Sequence, residues 1–103
     1  MKVKISENFD FRLISFIERK LVRRRIKELK ECSFLGEVKY GRPHPLRGAK
    51  SSMYGLRIGK TSRLILLPFE YDKEQGAQGN KPWSYYITGV VVYYSPNHYR
   101  TYY

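Results

Sequence analysis

Apolar side chains change their spacing once along this chain, and the change falls at Gly36. Before it they recur at helical intervals; after it they gather in strand-sized runs. Leu13, Ile14, Ile17 and Leu21 form one stripe, and Val22, Ile26 and Leu29 continue it after a shift in phase. Neither glycine nor proline interrupts this stretch. It predicts one long helix ending near Glu31, or two packed helices with a break near Leu21. Ser6 or Asn8 can cap its start, with Glu7 and Asp10 in the first turn, where the helix dipole favours carboxylates. Met1–Ile5 reads as a short strand ahead of it.

Beyond Gly36 the pattern is β. Residues 37–52 hold two prolines, two glycines and five basic side chains and read as a long loop. Met53–Ile58 and Arg63–Phe69 read as strands around a turn at Gly59–Ser62, Tyr71–Pro82 as a polar excursion, and Trp83–Tyr94 as a third long strand. Ser95-Pro96 suits the start of a short terminal turn. The order β–α–β–β–β predicts an α+β domain spanning 1–103: an N-terminal helical region packed on a small twisted antiparallel sheet, with a short C-terminal tail.

With 103 residues and a single cysteine, Cys32, the core must hold without an internal disulfide, which suits a reducing compartment. The most apolar runs, Leu64–Phe69 and Ile87–Tyr94, fall far short of the ~20 residues of a membrane helix. MKVKISENFDF lacks the apolar segment of a secretion signal. The expectation is a cytoplasmic protein without a membrane partner.

Lysine and arginine number 20 against 9 acidic residues, a formal net charge of +11. No Asp or Glu falls between Val38 and Phe69, where Lys39, Arg42, Arg47, Lys50, Arg57, Lys60 and Arg63 lie, and none follows Glu74. One-signed stretches of this kind attract polyanions, nucleic acid above all. The helical run from Arg19 to Lys30 adds to that field. Its three consecutive arginines cannot share one helix face, so it reads as a diffuse positive envelope.

Chemistry can be narrowed by what is missing. The two histidines, the single cysteine and the acid-free middle give no metal-ligand spacing, and no cofactor fingerprint is present. No G-x-S-x-G or phosphate loop occurs either. A set of His, Arg and Tyr remains: His44 between two prolines, and His98 beside Tyr99 just past the last strand. That set suits RNA cleavage, because the nucleophile is the substrate's own 2′-OH. A base removes its proton, arginines neutralise charge growing on the phosphoryl oxygens, and an acid protonates the departing 5′-oxygen. Tyr99, Tyr102 and Tyr103, in a basic tail, suit stacking on single-stranded bases.

The run HPLRG, then Y-G-L-R-I-G-K-T-S-R-L-I, then a β-rich strand leading to N-H-Y, resembles the RelE/ParE superfamily of toxins from toxin–antitoxin pairs. Within it the similarity is greatest to the HigB and YoeB ribosome-dependent mRNA interferases. The resemblance follows most of the chain in order. It implies that His44 occupies the general-base position, where YoeB-like toxins carry glutamate, and that Arg47 is a substrate-binding cation. It likewise implies that Arg57 and Arg63 are paired hairpin arginines, Arg63 at the phosphate-stabilising position, with Lys60 beside them. His98 matches a general acid and Tyr99 a substrate-orienting group, with Tyr102 adding to substrate contact. The implied partners are a cognate antitoxin and the 70S ribosome with mRNA in its A site. A ParE-like gyrase poison or a non-catalytic RNA- or ribosome-binding protein are the alternatives. The chain departs from the family in its histidine at the base position, its longer polar stretch at 70–82 and its four residues past Tyr99.

One expectation is geometric. A two-residue turn at Lys60-Thr61 would pair Ile58 with Arg63 and send Arg57 and Arg63 to opposite faces; a longer turn pairs the arginines on one face. The second arrangement is expected, with Tyr54, Leu56 and Ile58 directed at the helix.

Overall fold

A computed structural model describes residues 1–7, 9, 12, 14–41, 43–46, 53–59, 62–72 and 87–95. Its regular elements are β1 (Lys2–Ile5), α1 (Phe16–Glu31), a 3₁₀ turn (Leu35–Glu37), β2 (His44–Pro45), β3 (Tyr54–Arg57), β4 (Arg63–Tyr71) and β5 (Ile87–Ser95). The five strands form one sheet in the order β1-β5-β4-β3-β2, with α1 packed on it. A radius of gyration of 13.1 Å is that of one domain of about 100 residues. The architecture is α+β.

Three sequence expectations change. The sheet is mixed rather than antiparallel: β1 runs parallel to β5, Val3 opposite Val90, while β2, β3, β4 and β5 pair antiparallel in turn. By these pairings β1 and β2 run in opposite directions although a 16-residue helix separates them, so the segment between α1 and β2 crosses the length of the sheet once more. Next, the loop expected over 37–52 follows directly on the 3₁₀ turn, which ends at Glu37, and contains the two-residue strand β2. Third, α1 is a single unbroken helix that begins at Phe16. Its cap is Ser15, whose Oγ accepts from the Glu18 N–H at 3.3 Å. Ser6 instead closes a turn, its carbonyl accepting from the Phe9 N–H at 3.0 Å, and Asn8 lies outside the described residues.

The late start of α1 decides which apolar residues are covered. Val22, Ile26 and Leu29, spaced four and three apart, point at the sheet. Ile17, expected in the same stripe, is 75% exposed, and Phe16 is exposed beside it with the Lys20 ammonium over its ring. Ile14 is buried from just ahead of the helix. At the other end, the backbone nitrogen of Met1 donates to the carbonyls of Leu29, Lys30 and Cys32, satisfying acceptors that a helix C-terminus leaves open.

Beneath α1 the sheet contributes Tyr54, Leu56 and Ile58, Leu64 and Leu66, and Val90 and Val92. These alternate along each strand, so the intervening residues face the other side. Pro68 stands where the β4–β5 ladder shifts: Pro68 pairs with Val90, but Glu70 with Gly89, leaving Phe69 as the extra residue. A residue without an N–H is tolerated at such a bulge. No helix among the described residues is long and apolar enough to cross a membrane.

Burial pushes the Tyr54 hydroxyl up to about 12, with the Tyr71 phenol adding to the effect. Unfolded tyrosine ionises near ~10, so above that pH the unfolded chain releases a proton the folded chain retains. Stability is therefore whole below ~pH 10 and falls as pH rises toward 12. Titration of unfolding midpoints should show this decline, and Tyr54→Phe should flatten it. In chemical denaturation, Leu29→Ala should cost about 2–5 kcal/mol. Ile17→Ser should change stability by no more than ~0.5 kcal/mol, as for an exposed side chain. A large loss at Ile17 would contradict the position of α1.

Candidate active site

The described members of the expected site sit on the sheet face turned away from α1. Arg57 pairs with Arg63, and Arg63 with Ser95. One step along, His44 pairs with Gly55, Gly55 with Ile65, and Ile65 with Tyr93. These are two neighbouring cross-strand rows on one face. The expectation that Arg57 and Arg63 share a face, with Tyr54, Leu56 and Ile58 toward the helix, agrees with this register. The Ile58 N–H donates to the Ser62 carbonyl at 3.2 Å, leaving three residues between the paired ends. Arg57 and Arg63 then form the closer, non-hydrogen-bonded kind of pair, with Cα atoms about 4.5 Å apart.

This face has a small core of its own. Leu46 and Ile65 are buried yet stand outside the cluster beneath α1. Arg63 is 5% exposed, its Nη1 donating to the Ser62 carbonyl at 3.3 Å, while Arg57 is exposed. Two like charges directly opposite on adjacent strands repel. Holding one of them buried is costly unless other charges compensate. An anion bound between them relieves the repulsion, and a phosphate matches guanidinium geometry well.

His44 is placed by two glycines. Gly41 has φ +81°, a conformation L side chains rarely adopt, and its carbonyl accepts from the Arg57 N–H at 2.9 Å. A Cβ there would meet Leu56 Cδ1 at 2.7 Å and the Arg57 carbonyl oxygen at 2.8 Å. The chain then turns into β2, and the Leu46 N–H donates to the Met53 carbonyl at 2.9 Å. At Gly55 a Cβ would lie 3.1 Å from both Cε1 and Nε2 of His44 and 3.0 Å from Leu46 Cδ2. The imidazole edge therefore lies directly over the glycine. An isolated glycine in a strand pattern signals such a close approach.

A second polar cluster braces the hairpin from the helix side. Glu18 Oε1 accepts from Ser62 Oγ, and Glu18 Oε2 from the Tyr94 hydroxyl at 2.5 Å. Ser62 and Tyr94 adjoin Arg63 and Ser95 in sequence but face α1. Burial first, then the bond to the Glu18 carboxylate, pushes the Tyr94 hydroxyl above its ordinary value. The sequence carried a signal for Glu18: S-F-I-E is a capping-box pattern. Here Ser15 caps, in place of the expected Ser6 or Asn8, while the glutamate reaches across to the sheet.

Arg47, Lys60, His98, Tyr99 and Tyr102 lie outside the described residues. Among the described residues, no group of three His, Cys, Asp or Glu side chains is placed to hold a metal ion.

Gly41→Ala should destabilise the fold by about 1–3 kcal/mol through its strained φ and shift the His44 ring resonances. Gly55→Ala should move the same resonances with a smaller loss, because the atoms it meets end flexible side chains. If neither substitution perturbs the His44 signals, this seat for the imidazole is wrong. No family model, curated protein or solved structure matches the chain.

Proposed function

We propose that the chain is a RelE-like toxin of a type II toxin–antitoxin pair, a cytoplasmic, ribosome-dependent mRNA endoribonuclease of the HigB and YoeB kind that needs no metal. The observation that carries this reading is the placement of His44, Arg57 and Arg63 in adjacent rows of one sheet face. Strand spacings put the Cα atoms of His44 and Arg63 about 12 Å apart, a gap their side chains can close on one phosphate. His98 is three residues past Ser95, which pairs with Arg63, so the chain can carry it no more than about 11 Å from that end of the sheet.

In this mechanism His44 takes the proton of the ribose 2′-OH as the oxygen attacks phosphorus. The bond from phosphorus to the 5′-oxygen breaks, and His98 gives that oxygen its proton. Arg63, with Arg57 opposite, balances charge on the phosphoryl oxygens; Arg47 and Lys60 hold neighbouring phosphates, and Tyr99 and Tyr102 orient the nucleotide. The nucleophile and both proton carriers are supplied by RNA and imidazole, so a metal has no step to perform. The antitoxin neutralises the protein, and the ribosome presents mRNA in its A site.

Incubation with translating ribosomes, followed by mapping of mRNA 5′ ends, tests the reading. Cleavage should persist in chelator and leave 2′,3′-cyclic phosphate and 5′-OH ends. Its rate should follow a bell in pH, because one imidazole must be neutral while the other is protonated. His44→Ala and His98→Ala should each cost about 10²–10⁴-fold, and Arg63→Ala a comparable factor. Arg63→Lys, which keeps the charge without the fork, separates lost chemistry from lost folding. Ribosome binding without cleavage would favour the non-catalytic reading, and DNA gyrase inhibition the gyrase-poison reading.

Binding should also weaken steeply with salt, through counterion release. Neutralising Arg23, Arg24 and Arg25 together should lower ribosome affinity while leaving the single-turnover rate at saturation nearly unchanged. A large fall in that rate would contradict a purely electrostatic role for these three arginines.

A further inference from the structure

The sheet order puts β1 at the edge opposite to β2 and His44. Backbone N–H and C=O groups alternate in direction along a strand. The Ser6 N–H donates to the Val92 carbonyl at 2.9 Å, so the groups of Lys2 and Lys4 also turn toward β5. Those of Val3 and Ile5 turn outward, where no strand pairs with them among the described residues. Edges of this kind accept another strand unless charge or shape blocks them, and lysine is the usual block. Both lysines of β1 are already engaged on the face away from α1. Lys2 Nζ pairs with Glu70 at 2.8 Å, and the Lys4 ammonium lies 4.4 Å from the centre of the Phe69 ring.

Toward α1, Val3 packs against the core while Ile5 stays 40% exposed. Ile5 lines a groove of about 340 Å³ between β1 and the helix. Ile26 completes its apolar floor, and Arg23, Lys27 and Lys30 line it from α1. Every charged residue of the lining is a cation.

Three occupants fit this edge unequally. RNA phosphates suit the cations, yet beside β1 they would set acceptors against the Val3 and Ile5 carbonyls, above an apolar floor. A second copy of this chain would bring another net charge of +11 and the same cations to the contact. An extended protein segment supplies donors and acceptors in the alternation that the edge requires. We infer that β1 takes up an acidic, extended segment of a partner protein as a sixth strand. On its helix side that segment places an apolar residue over Ile5 and Ile26. Carboxylates on either side of it face Arg23, Lys27 and Lys30. This goes beyond the nuclease reading and stands whether or not the protein cuts RNA.

The probe is the end-blocked peptide TETITET, whose threonines favour an extended chain. Added to isotope-labelled protein, it should protect the Val3 and Ile5 amides from hydrogen exchange and shift the Lys27 and Lys30 resonances. The charge-reversed peptide TKTITKT should bind about tenfold more weakly or worse, as should TETITET to Lys27→Glu combined with Lys30→Glu. Methylating alternate backbone nitrogens gives two forms of the probe. Only the form that keeps its N–H groups toward β1 should bind. Ile5→Pro, which removes an outward N–H and no bond to β5, should also abolish the protection at Val3. Equal binding of the two methylated forms, or lysine shifts without protection at Val3 and Ile5, would mean surface adsorption and overturn the inference. An oligouridylate that shifts Lys27 and Lys30 where the peptide does not would assign the groove to nucleic acid instead. A dimer in sedimentation that protects both amides without peptide would assign the edge to a second copy. If Ile5→Pro fails to fold, the methylated pair decides.

Discussion

The pairing of Arg57 with Arg63 fixes the identity of both faces of the sheet. Strand side chains alternate, so a slip of one residue between β3 and β4 would exchange every buried residue with its exposed neighbour. With the observed register, Tyr54, Leu56, Leu64 and Leu66 meet α1, and Gly55, Arg57, Arg63 and Ile65 face away. Hydrophobic burial beneath the helix thus enforces the placement of the arginines. Two like charges would not select that position by themselves; the leucines on the opposite face select it for them.

The brace at the hairpin end serves the same register. Glu18 holds Ser62 and Tyr94 from α1, and both are neighbours of the Arg63–Ser95 row. A carboxylate accepting two hydroxyl bonds at a partly buried position ties the first turn of the helix to the end of the sheet that carries the arginines. Helix docking and site geometry are therefore coupled at one point, and a disturbance of α1 near Glu18 is felt at Arg63 through a single residue step.

Much of this fold is legible in the residues. The switch of periodicity at Gly36 separates helix from strands, and the lengths of the apolar runs locate β3, β4 and β5. Two aspects are not local and so escape such a reading. The first is the partner of β1: Lys2–Ile5 looks the same whether its neighbour runs parallel or antiparallel, and only the path of the chain through α1 and all the later strands decides. The second is the start of the helix, because Ser6, Asn8 and Ser15 are all competent caps and propensity does not rank them. For the site, the strand pattern and turn length made the shared face of Arg57 and Arg63 legible. The seat of His44 over Gly55 was signalled by a glycine in a strand, but its meaning required knowing which segment pairs there. Glu18 carries a capping-box signal with Ser15, but its hold on Ser62 and Tyr94 becomes legible only once the helix is docked on the sheet.

Departures from local preference converge on one corner of the molecule. Gly41 holds a positive φ, Gly55 gives up a side chain in mid-sheet, His44 sits between two prolines, and Arg57 faces Arg63. The arginine pair costs stability compared with an uncharged pair at the same place, and at both glycines a side chain would meet neighbouring atoms. The opposite face shows the contrary pattern, with leucine, isoleucine and valine filling a closely packed layer. A sequence locally consistent on one face and locally costly on the other is spending stability where the costly residues meet. The glycines answer to packing, since a Cβ at Gly41 would meet Leu56 and Arg57 and one at Gly55 would meet His44 and Leu46. The like-charged pair answers to no local preference, and an RNA phosphate, in the function proposed above, is a group that would offset its repulsion.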